Sequence, residues 1–160
     1  MSLSTQLTPT QTTNELPLAV KAWTRLLRAH ATTTRLLNAQ LLAEHGLTIN
    51  DYEALQVLAC ADGQRMRRID LARRLVLTPS GVTRLLEGLE RSGLVERAAC
   101  ASDLRVTYAQ LTEAGEAKLR DAACGHEGSI ASLLEEHLSR EELRQLDEVL
   151  AKVPGGADAV

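Results

Sequence analysis

The sequence predicts a mainly α-helical protein carrying one small β-hairpin, on three observations. The 160 residues are 44% hydrophobic with no phenylalanine and only four prolines, and leucine and alanine, both good helix formers, dominate. Apolar residues recur at helical spacing along most of the chain, as in Val82, Leu85, Leu86 and Leu89 at i, i+3, i+4 and i+7. That spacing breaks between Gly93 and Thr112, where two β-type segments flank a short tip.

Each element has its own signals. Residues 1–14 are rich in Ser, Thr and Gln and are expected to form a disordered tail. Residues 15–46 hold a long helix, about Leu16 to Glu44, with Trp23, Leu26, Leu27, Leu36, Leu37, Leu41 and Leu42, and with Gly46 as its stop. Thr48 and Asn50 are candidate caps for a helix about Asp51 to Cys60 that buries Leu55, Val57 and Leu58. Asp62-Gly63 marks a turn. A helix about Met66 to Val76 is expected to place Ile69, Leu71, Ala72 and Leu75 inward, with Arg67, Arg68, Arg73 and Arg74 outward.

The next helix begins at Thr78-Pro79-Ser80, where threonine accepts from an orphan N–H and proline at the first position loses no bond. Its exposed face is expected to show Ser80, Gly81, Thr83, Arg84 and Glu87. Ser92-Gly93 ends it. Leu94–Arg97 and Arg105–Leu111 follow as hairpin arms, with Val106, Tyr108 and Leu111 alternating in the second. Thr112 caps another long helix, with Glu113 and Glu116 in its first turn and Gly125 and Gly128 weakening its middle. Ser139-Arg140-Glu141-Glu142 is a capping box opening a last helix through Leu143, Leu146, Val149 and Leu150. The reading divides the chain into a tail (1–14), an N-terminal dimerisation helix (15–46), a winged module (47–112), C-terminal dimerisation helices (113–153) and a second tail (154–160).

Helix, turn, helix and hairpin in this order make a winged helix-turn-helix. Small residues at the start of the second helix allow close approach to another surface, and polar side chains with an arginine suit the DNA major groove. Arg68, Arg73 and Arg74 are placed to meet phosphate oxygens, and Arg91 joins them as a candidate DNA contact. The net charge of −3 speaks against a nucleic-acid binder, but its distribution reverses the argument. Residues 64–105 hold nine Lys/Arg against five Asp/Glu, a net of +4, while the segments before and after carry −1 and −6. Positive charge thus sits on the module that would approach phosphate.

The stretch DLARRLVLTPSGVTRLLEGLERSGLVER, followed by SDLR and then LTEAG, resembles the multiple antibiotic resistance regulator (MarR) family of bacterial transcription factors. The matching pieces are Leu71-Ala72, Leu89-Glu90 to Arg97, Asp103 with Arg105, and Leu111-Thr112 with Gly115. The resemblance implies a homodimer built on the terminal helices, with two recognition helices about one DNA turn, roughly 34 Å, apart on a pseudo-palindromic operator. It also implies that Asp103 orients Arg105 toward the minor groove. The tip, Ala98 to Ser102, lacks the basic residues many relatives carry, so a weaker wing contribution is expected. Family habit implies a repressor released by a small, often aromatic or phenolic effector. Trp23, His30, Tyr52 and Arg65 are the candidate pocket residues, with dimer or core packing as the plain alternative for Trp23.

Other classes receive less support. Three aromatics are too few for a stacking platform. No run nears the roughly 20 apolar residues of a membrane span, and no signal peptide is expected. Three scattered cysteines, Cys60, Cys100 and Cys124, fit a reducing cytoplasm. His30, His45, His126 and His137 lack i, i+4 pairing and a Cys-x-x-Cys partner, so no metal or cofactor is expected. No nucleophile elbow or phosphate-binding glycine loop points to an enzyme. The alternatives kept are a redox- or metal-responsive regulator of the same fold, with Cys100 as the exposed thiol, and a winged-helix protein-interaction module.

Overall fold

The structure, a computed structural model, describes residues 16–99 and 107–156. The described residues form six α-helices, a three-residue 3-10 turn and one three-stranded antiparallel sheet. They divide into one unit ending at Thr32 and a second beginning at Thr33.

Helix α1, Leu18–His45, runs through both units. Its first half carries exposed Val20, Trp23 and Leu27 at i, i+3 and i+7, an apolar stripe on one helical face. Trp23 is 61% exposed.

The second unit contains the core, in which Leu41, Leu55, Leu58, Leu71, Val82, Leu86 and Val95 are fully buried. Gly46, at φ +67, ends α1. Helix α2, Ile49–Ala59, starts at a capping box in which the Thr48 hydroxyl accepts from Asp51 N (3.1 Å) and the Asp51 carboxylate accepts from Thr48 N (2.9 Å). Of the two candidate caps, Thr48 fills the role. Asn38 Oδ1 accepts from Ile49 N (3.0 Å), tying the second half of α1 to α2.

Strand β1, Arg65–Arg67, precedes α3, Arg68–Arg74, and α4, Pro79–Arg91. Strands β2, Val95–Ala99, and β3, Thr107–Leu111, form the described arms of the wing, and β1 joins them in the order β1-β3-β2. Arg65 pairs with Gln110 and Arg67 with Tyr108, while Val95 faces Leu111 and Ala99 faces Thr107. Helices α5, Glu113–Glu135, and α6, Arg140–Leu150, complete the chain. Helix α5 runs unbroken through Gly125 and Gly128. Among the described residues no helix is long and apolar enough to cross a membrane.

Three expectations need correction. The helix expected from Met66 to Val76 is shorter: Met66 and Arg67 belong to a strand, because β3 offers that segment a backbone ladder. Val76 lies beyond the helix at φ +52. Ile69 is 58% exposed rather than inward, since a seven-residue helix packs on the core through Leu71 and Ala72 alone. In the second wing arm, the buried side chains are Ala109 and Leu111, so Tyr108 projects to the opposite face. There the Arg65 guanidinium sits 5.2 Å from its ring centroid.

Candidate nucleic-acid interface

The interface is built on α4. Thr78 caps it with its hydroxyl accepting from Gly81 N (3.1 Å), and Pro79 occupies the first helical position. Val82, Leu86 and Leu89 are anchored in the core at 1%, 0% and 2% exposure. With that stripe fixed, the helix is forced to turn Ser80, Arg84 and Glu87 to solvent, with Gly81 and Thr83 partly covered beside them.

The hydroxyls are already committed. Thr83 Oγ1 donates to Pro79 O (2.9 Å), and Thr78 Oγ1 lies 3.2 Å from Ser80 Oγ. Both retain lone pairs, so donors on a base or a water still find acceptors there. Arg84, by contrast, has no hydrogen bond or ion pair among the described residues, and its guanidinium reaches solvent. Arg91 is turned back, its Nε donating to Glu87 O (3.0 Å).

Helix α3 lies beside α4 and supplies the cations. Arg73 and Arg74 are exposed in its last turn, and Arg73 Nη1 is 3.6 Å from Asp70 Oδ1. That contact is a loose surface pair, easily exchanged for phosphate. Arg68 lines a cleft of about 260 Å³ between α3 and α4, together with Ile69, Ala72, Pro79, Val82 and Thr83. Its Nη2 is buried and lacks a hydrogen-bond partner. A buried guanidinium donor left unpaired is costly, and an approaching anion would relieve it.

One brace was not foreseen from the sequence. Arg97 of β2 directs Nε at both carboxylate oxygens of Glu90, each at 2.9 Å, joining the wing to the side of α4. The Glu90 carboxylate also raises the Arg97 pKa. The pair spans seven residues across a helix end and a turn, so helical spacing alone gives no sign of it. Asp103, Arg105 and Cys100 lie outside the described residues.

The four candidate effector residues have separate surroundings. Trp23 and His30 are exposed on the first half of α1. Tyr52 is buried, with its ring 4.7 Å edge-on from that of His126. Burial, and then the charge of Glu127, raises the Tyr52 hydroxyl pKa. Arg65 instead pairs with Tyr108. His45 ends α1, as expected of a helix C-terminal cation, with Nδ1 3.2 Å from Asp121 Oδ2.

The MarR family profile matches residues 47–107, the winged module from the α2 cap into β3. AbsC, a MarR family transcriptional regulator from Streptomyces coelicolor, is 37% identical, with 86% of this chain and 93% of AbsC covered at a TM-score of 0.70. Sco3205, a MarR family transcriptional regulator from the same organism whose structure is in complex with DNA, is 28% identical, with 91% and 92% covered at a TM-score of 0.80. CouR from Rhodococcus jostii RHA1, bound to p-coumaroyl-CoA, is 26% identical, with 86% and 94% covered at a TM-score of 0.69. The identity to AbsC over nearly its full length, and the matched module with its capped, arginine-bearing α4, settle the family. This chain belongs to the MarR family of winged-helix transcriptional regulators, not to a family of enzymes.

Proposed function

We propose that this regulator binds a pseudo-palindromic operator as a homodimer, acts as a repressor in the cytoplasm and is released by a small aromatic or phenolic effector. The observation that carries the reading is the exposed face of α4, where Ser80, Gly81 and Thr83 leave room for a groove wall and Arg84 stands without a partner among the described residues. The net +4 of residues 64–105 and the buried, unpaired Arg68 Nη2 supply attraction to phosphate. The Sco3205 complex with DNA supports the same use of the fold.

Two surfaces support a dimer, each taken by itself. The first half of α1 exposes Val20, Trp23 and Leu27, and α6 exposes Leu146 and Val149. Stripes of this kind on amphipathic helices are most simply covered by a second copy. In the dimer, DNA selects one spacing of the two recognition helices, and an effector that prefers another lowers operator affinity reciprocally. Asp103 and Arg105 contribute the wing's contact, and Trp23, His30, Tyr52 and Arg65 remain the candidate effector residues. The p-coumaroyl-CoA bound by CouR supports an aromatic effector class.

The test is a selection of genomic DNA fragments by the purified protein, followed by fluorescence anisotropy on the selected site and a scrambled version. A preference of about a thousandfold at physiological salt, with two half-sites protected, is expected of a specific regulator. Equal binding to both sequences contradicts the reading.

A further inference from the structure

A second cleft, of about 550 Å³, opens at the C-terminal end of α4, remote in sequence from Ser80 and Arg84. Leu47, Leu89 and Leu94 give it an apolar lining, and Gly88 of α4 faces it. Gly88 is the informative residue. It sits inside a helix, where glycine costs about 1 kcal/mol relative to alanine. Yet no atom lies within 4 Å of where its Cβ would stand, so close packing does not require it. What the missing side chain leaves is cleft volume.

The charged groups around the cleft are nearly all engaged. Asp51 Oδ2 accepts from Thr48 N (2.9 Å) and Thr48 Oγ1 (2.6 Å). His45 is held between Asp121, at 3.2 Å, and Glu44, at 3.9 Å. Lys118, half-buried on α5, has no hydrogen bond or ion pair among the described residues. The uncommitted charge at this apolar cleft is therefore an ammonium.

We propose that the cleft binds a small amphipathic organic anion, with its carboxylate on Lys118 Nζ and its apolar body against Leu47, Leu89 and Leu94 in the space that Gly88 leaves. The volume lies within the range of pockets that hold small molecules. Trp23, His30, Tyr52 and Arg65 do not line it, so it is separate from the effector quartet. An occupant touches the end of α1, the last turns of α4 and the start of α5 together, and so biases the recognition helix. That consequence rests on the regulator reading above; the binding itself does not.

The probe is 1-naphthoate, titrated into the full-length ¹⁵N-labelled protein. Saturable shifts are expected at the amides of Gly46, Gly88 and Leu94. Lys118→Met, or the neutral 1-naphthamide in place of the acid, weakens binding about tenfold, the scale of one charge-assisted hydrogen bond. Gly88→Leu fills the cleft and abolishes binding, while Trp23→Ala leaves the titration unchanged. If Gly88→Leu fails to fold, Lys118→Met and the amide decide the matter. Absence of shifts at those amides, or equal affinity in Lys118→Met, overturns the proposal. Binding of naphthoate here by a protein that reads no operator supports the site and refutes the regulator reading.

Discussion

Gly115 lies so close to Leu94 that a Cβ at position 115 would overlap the Leu94 carbonyl oxygen; the same atom would stand 3.0 Å from the Leu94 carbonyl carbon and 2.8 Å from Leu111 Cδ1. The contact belongs to a joint. Thr112 donates from its hydroxyl to Gly93 O (2.7 Å) and from its N–H to Leu94 O (3.2 Å), while its hydroxyl accepts from Gly115 N (3.0 Å). The exit from α4 and the first turn of α5 are thereby held as one piece. In a regulator whose long helices bear the effector, that joint is a direct route to the recognition helix.

Gly115→Ala is expected to destabilise the fold by about 2–4 kcal/mol, because the atoms it meets include backbone that cannot swing aside. Gly128→Ala is the control. Its Cβ meets open space, so relief of a helix-interior glycine adds about 1 kcal/mol. Urea unfolding followed by circular dichroism measures both. Equal midpoints for the two variants would show that the joint is not as tight as described.

Val76 is expected to be replaceable at a gain. It is 91% exposed and held at φ +52, a region that disfavours β-branched side chains. Val76→Asn removes strain of about 1 kcal/mol without losing buried area, since asparagine tolerates the left-handed conformation. A higher thermal midpoint is the expected result. An unchanged or lower one implies that the valine side chain makes a contact in the assembled protein.

Stability is expected to fall as the solution is acidified below neutrality, with His126 as one cause. Burial lowers its pKa below the ordinary 6.5, and the nearby Glu127 charge only partly opposes this. Above pH 6.5 the ring is neutral folded or unfolded, and the group adds no pH dependence. Below that value the unfolded chain takes the proton first, so stability drops with pH until the folded ring also protonates. Urea midpoints from about pH 7.5 down to pH 5.5 should decline less steeply in His126→Gln than in the parent. Parallel curves would remove His126 as a contributor.

Much of this architecture is legible in the residues, and the failures have physical causes. Thr78-Pro79 announces α4 because capping and proline geometry are local, and the Val82 to Leu89 stripe announces its buried face because thirteen residues suffice to set a phase. Strand β1 could not be read. Arg65-Met66-Arg67 has no apolar run, and only pairing with β3 makes it extended. Ile69 and Tyr108 were misplaced because seven- and five-residue elements do not average out a single large side chain on the wrong face. On the candidate interface, the exposed arginines followed from the charge pattern. The Arg97–Glu90 brace and the unpaired Arg68 Nη2 depend on tertiary packing that no spacing encodes.

The central claim is that Arg84 on α4 reads bases while the α3 arginines hold phosphate, and fluorescence anisotropy of Arg84→Ala and Arg73→Ala on the selected operator and its scrambled counterpart tests it most directly. Arg84→Ala is predicted to lose about 1–3 kcal/mol of discrimination between the two sequences while remaining a dimer. Arg73→Ala is predicted to weaken both complexes alike and to lower the salt slope by about one. An Arg84→Ala protein that discriminates operator from scrambled DNA as the parent does would contradict the assignment of α4 as the reading helix.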